Sequence, residues 1–74
     1  MTVLINAASE AYGLKVSTIS VMGNLTFVTI PNTPVVYPLL LKLVKKGIIY
    51  SFEPIEQENV IKVSIRTKYI ETID

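Results

Sequence analysis

Apolar and polar positions alternate most regularly over residues 60–70. Ile61, Val63, Ile65, Thr67 and Tyr69 fall on one side of an extended chain, and Lys62, Ser64, Arg66 and Lys68 on the other. That period of two predicts one long strand with a buried face. A β-branched and aromatic run over 25–30 predicts a shorter strand, opened by the turn pair Gly23-Asn24. Pro31-Asn32-Thr33-Pro34 closes it, because proline donates nothing to a ladder and holds its predecessor out of the helical region. Residues 48–52 predict another strand, and Pro54 with the polar run 56–59 predicts the turn into the long one.

Between these strands the period changes. Val35, Val36, Leu39, Leu40, Leu43 and Val44 recur at helical spacing and give a broad apolar stripe. Thr33 is placed to cap this helix, with Pro34 at its first position, where a missing N–H costs nothing. Pro38 conflicts with a helix running from Pro34, so the helix either starts tightly or begins near Tyr37. Gly47 should end it in a left-handed cap, with Lys45 and Lys46 complementing the negative helix end. The segment 3–22 keeps no single period. Leu4, Ala7, Ala8 and Ala11 suit a helical face, whereas Val16, Thr18 and Ser20 suit a strand. Helix is the favoured reading there. The expected fold is therefore one α+β domain over 1–74, in the order α-β-α-β-β, with a three-stranded sheet and helices packed on one face.

Composition narrows the function. A chain of 74 residues has a marginal core, yet half of its residues are hydrophobic. Some apolar surface should stay exposed unless another molecule covers it, which suits a component of a larger assembly. The chain has neither cysteine nor histidine, so it builds no disulfide and no conventional zinc site. The same lack removes the usual general base and the thiol nucleophile, and the three glycines do not cluster into a phosphate-cradling loop. No enzyme, metal or cofactor is expected. No apolar run approaches the ~20 residues that span a bilayer, so no membrane partner is expected either. The start of the chain has the pattern of neither a signal peptide nor a transit peptide.

The net charge of +1 conceals two poles, Glu53, Glu56 and Glu58 in one stretch and Lys42, Lys45 and Lys46 in another. The three lysines lie on one helix flank. They are either an ordinary solvated face or a patch that contacts phosphates and releases counterions. Lys62, Arg66 and Lys68 pose the same choice between an outward strand face and nucleic-acid contact. Asn32 and Thr33 serve as turn and cap residues, and a cap also exposes N–H groups that attract phosphate. Of the tyrosines, Tyr50 is expected to pack and Tyr37 is left open between packing and stacking on a base. A DNA-reading helix fits poorly, since the stripe lacks arginine, asparagine and glutamine.

One stretch carries a family resemblance. Thr29-Ile30-Pro31-Asn32-Thr33, then 39–49 (LLLKLVKKGII), then Phe52, and finally 60–69 (VIKVSIRTKY), resemble the N-terminal domain of ribosomal protein S-eight of the small subunit. The spacing of these pieces agrees over about residues 25–70. Before residue 25 the likeness is weak: the family's arginine-rich first helix is replaced by 16–21, leaving Lys15, Ser17 and Ser20. Family members also continue into a C-terminal domain that has no counterpart here, so the resemblance implies either a separate chain that supplies that half as a partner, or its loss with other proteins or RNA substituting. The resemblance implies a structural protein that binds the central domain of small-subunit rRNA beside neighbouring ribosomal proteins. By position it assigns RNA contact to Asn32, Thr33, Lys42, Lys45 and Lys46, with Lys62, Arg66 and Lys68 as the strand set. The low arginine content and apolar character suit an organellar, mitochondrial ribosome, with a cytoplasmic one as the alternative. A protein-interaction module that touches no nucleic acid is the competing class.

Overall fold

The computed structural model describes residues 1–7 and 10–73. It contains seven strands and one α-helix: β1 (Thr2–Ala7), β2 (Glu10–Lys15), β3 (Thr18–Met22), β4 (Leu25–Pro31), α1 (Tyr37–Lys45), β5 (Ile49–Ile55), β6 (Val60–Arg66) and β7 (Ile70–Ile73). They form two antiparallel sheets, ordered β2-β1-β7 and β3-β4-β6-β5. The expected α-β-α-β-β domain, with a three-stranded sheet under helices, is thereby overturned.

The correction lies mainly in the first third. Residues 3–22 were expected to be helical, but they form β1, β2 and β3. Val3 and Ile5 are fully buried while their neighbours are not, an alternation that a helix cannot produce. The three alanines had suggested a helical face. Ala8 lies outside the described residues, Ala7 ends β1 and Ala11 belongs to β2. After Leu14 the chain crosses between the sheets: Val16 donates to the Met1 carbonyl at 2.9 Å and Ser17 to the Thr29 carbonyl at 2.8 Å.

A second correction concerns the long strand expected over 60–70. β6 ends at Arg66, and Thr67–Tyr69 forms a single 3-10 turn before β7. Thr67 still turns to the inner side that the alternation predicts, but from a turn and not from a strand. Its N–H donates to the Asn24 carbonyl at 2.9 Å, and its hydroxyl lies 2.9 Å from the Thr26 hydroxyl and 3.0 Å from the Gly23 carbonyl. Thr26 is fully buried and finds its partner here. This turn carries the chain to β7, which pairs with β1 in the other sheet.

The middle of the chain follows its sequence pattern closely. Pro34–Val36 makes one 3-10 turn, and α1 starts at Tyr37 with Pro38 in its first turn. Its missing N–H is therefore one that the helix leaves unpaired in any case. Gly47 adopts φ 76°, its N–H donates to the Val44 carbonyl, and the Ile48 N–H donates to the Leu43 carbonyl, both at 3.0 Å. These two bonds are a Schellman cap, and the buried pair Leu43 and Ile48 supplies its apolar contact. β4 and β5 flank β6, and α1 makes the crossover between them.

One core joins all of these elements. Val3, Ile5 and Leu14 come from the first sheet, Val28, Ile30, Ile61, Val63 and Ile65 from the second, and Leu40 and Leu43 from α1. The inner face of the second sheet is thus covered by the helix and the first sheet. Among the described residues no element covers its outer face.

Candidate nucleic-acid interface

The strand register decides which side chains reach that outer face. Because Val28, Ile30, Ile61, Val63 and Ile65 point inward, Phe27, Thr29, Lys62, Ser64 and Arg66 point outward. Thr18, Ser20 and Met22 of β3 pair with Thr29, Phe27 and Leu25 and extend the same face. Phe27 sits at its centre with the Lys62 ammonium 5.8 Å from its ring centroid. Lys62 is not isolated from acid, since Glu53 of β5 is its cross-strand neighbour.

Arg66 is held more firmly. Its Nε–H donates to the Gly47 carbonyl at 2.8 Å, and its guanidinium carbon lies 5.7 Å from the Tyr50 ring centroid. Beside it opens a groove of about 530 Å³, lined by Gly23, Asn24, Gly47, Arg66, Thr67, Lys68 and Tyr69. Lys68, expected on the strand's outer face, instead projects from the 3-10 turn, with its ammonium 5.1 Å from the Tyr69 ring centroid. No carboxylate lines this groove among the described residues.

The helix lysines have different surroundings. Lys42 lies 3.9 Å from the Glu10 carboxylate and 5.4 Å from the Tyr12 ring centroid. The Tyr12 hydroxyl donates to Glu10. That hydrogen bond, reinforced by Lys42 and Lys46, holds the Glu10 carboxyl below its ordinary value. Tyr12, and after it Glu10, hold the Lys42 ammonium above its ordinary value. Lys45 and Lys46 are exposed at the helix end. Since α1 covers the inner face, these lysines and the pair Lys62 and Arg66 belong to different layers.

Asn32 and Thr33 act locally. Asn32 accepts from the Tyr37 hydroxyl at 2.9 Å and its N–H donates to the Asn59 carbonyl at 3.0 Å. Thr33 is exposed and extended, and its side chain makes no cap bond, contrary to the expected cap. Pro34 and Pro38 remove two N–H donors from this end, which leaves little to attract phosphate. Tyr37 packs edge-on against Phe52, with ring centroids 6.3 Å apart.

Tyr50 corrects the sequence reading. It was expected to pack, but it is 61% exposed. The β5–β6 register shifts between Ile49 and Ser51, so Tyr50 is the extra residue of a bulge and is turned out of the ladder. Three consecutive apolar residues, Ile48-Ile49-Tyr50, were the one available signal, because a regular strand cannot bury them all on one face. Among the described residues no group of carboxylates could hold a metal ion, and no helix is long and apolar enough to cross a membrane.

Comparison with known proteins finds no matching family model, no matching curated protein and no matching solved structure.

Proposed function

We propose that this protein is a non-catalytic structural component of a small ribosomal subunit, binding the central domain of the small-subunit rRNA in an organellar ribosome. The observation that carries this reading is the segment 39–49, which with 29–33 and 60–69 resembles the S-eight family and presents Lys42, Lys45 and Lys46 exposed along α1 and its cap. Arg66 and Lys68 add a second basic surface free of acid along its groove. Neighbouring ribosomal proteins cover exposed apolar residues such as Val21, Met22, Val35 and Leu41.

That exposed apolar set is also what favours the second reading, a protein-interaction module without nucleic-acid contact. Sedimentation separates the two. Tagged protein should travel with the small subunit and its RNA. Lys42→Glu combined with Lys45→Glu should weaken that association while the circular dichroism of the domain stays unchanged. Sedimentation unaffected by the double change, or free of rRNA altogether, overturns the ribosomal reading.

A further inference from the structure

We propose that Tyr50, Arg66 and Lys68 form the seat of one unpaired RNA nucleotide, its base stacked on Tyr50 and its phosphate held by Arg66 and Lys68. This inference rests on the RNA-binding reading above and narrows it to a single strand at a defined place. Four observations converge on it.

The bulge in β5 spends a residue to turn an aromatic ring outward on an edge strand, beyond which no further strand lies among the described residues. Bulges commonly re-aim a side chain in this way. The ring stays 61% exposed, and the Arg66 guanidinium lies over it at 5.7 Å. Arg66 is pre-set as well, because its Nε–H is fixed on the Gly47 carbonyl. The two terminal nitrogens of the fork then remain to donate to a phosphate. Lys68 brings a second cation to the groove that Arg66 lines. The lining holds no competing carboxylate and does not include Tyr50, so the groove of about 530 Å³ takes the phosphate and the base lies outside it on the ring.

The chemistry selects a single strand. An exposed ring accepts the face of any unpaired base, whereas a duplex hides those faces in its own stack. The neighbouring cations supply the salt-sensitive part of the affinity. Neither helix lysines nor Lys62 offers this pairing of a largely exposed ring with acid-free cations. Lys42 faces Glu10, and Lys62 pairs across from Glu53 over a half-buried Phe27.

The test is fluorescence anisotropy with a labelled single-stranded RNA of about eight nucleotides, within the usual span of such sites, alongside a duplex of the same strand, at several salt concentrations. The full chain should prefer the single strand. Tyr50→Ala should weaken binding roughly ten-fold, while Tyr50→Phe keeps it, since stacking does not need the hydroxyl. Lys68→Gln, at an exposed side chain, should weaken binding and lower the salt slope by about 0.7, the share of one phosphate contact. Circular dichroism of each variant excludes unfolding as the cause. If Tyr50→Ala and Lys68→Gln bind like the parent while the Lys42 and Lys45 reversals weaken binding, RNA sits elsewhere. The seat is then wrong and the ribosomal reading stands. If the parent binds neither RNA and leaves the subunit during sedimentation, both fall. Equal binding of the duplex, indifferent to Tyr50, overturns the seat alone.

Discussion

The helix flank and the groove at the end of β6 each gather lysine or arginine, yet they differ in what other elements bring to them. Around Lys42, β2 contributes Glu10 and Tyr12, so part of that charge is answered within the fold. Around Arg66 and Lys68 the incoming groups are backbone carbonyls, Asn24 and two aromatic rings. Charge counted along the chain is alike in the two places. Charge available to a partner is not, because the neighbours that decide it come from distant segments.

The largest test of this contrast removes the anchor of the helix side. Leu43 is fully buried and accepts the Ile48 N–H at the helix cap. Leu43→Ala should cost about 2–5 kcal/mol, enough to unfold much of a domain this small, as read by chemical denaturation. Gly47→Ala comes next. It forces a side chain into a backbone at φ 76°, which costs about 1–2 kcal/mol, and it disturbs the carbonyl that fixes Arg66. If that variant is as stable as the parent, the link between helix cap and groove is broken. Arg66→Ala should lower stability by about 1 kcal/mol through the lost bond to Gly47, with a matching shift in the denaturation midpoint.

The smallest effect is electrostatic and belongs to the helix flank. Glu10 has a folded value below its ordinary 4.5, so its contribution is present above that pH and lost as the pH falls through the depressed value. Lys42 has a folded value above its ordinary 10.5, so its contribution is present below that pH and lost as the pH rises through the raised value. Glu10→Gln should therefore flatten the acid limb of the stability curve and leave neutral pH nearly unchanged. An acid limb identical to the parent's would mean that the Lys42 flank is as free as the groove.

Much of the chain from residue 25 to 66 was legible in advance. Gly23-Asn24, Pro31, Gly47 and the leucine stripe each mark a boundary by local chemistry, and the structure places elements close to them. Residues 3–22 were not, because Ala7, Ala8 and Ala11 mimic a helical face while Val3 and Ile5 are chosen as core only by pairing with β2 and β7. Strand preference depends on such partners more than helix preference does. For the same reason the end of β6 was not legible: Thr67 lies on the expected inner side, but the turn that holds it there is set by Gly23, Asn24 and Thr26, far away in sequence. Lys62 and Arg66 were placed correctly on an outward face, but Lys68 was not. Tyr50 was missed because a bulge is a property of two strands in register, and the apolar run Ile48-Ile49-Tyr50 is only an indirect sign of it.

The pairing of β1 with β7 has a kinetic consequence. Thr2 lies opposite Ile73, so β1, made well before β7, waits for it before this sheet is complete. Contacts between such distant segments slow folding, since the intervening loop must close before any reward is gained. The hairpin β1–β2 would thus spend translation with one unclaimed rim, shielded late, and assembly should begin instead from the compact unit around β4, β5 and β6.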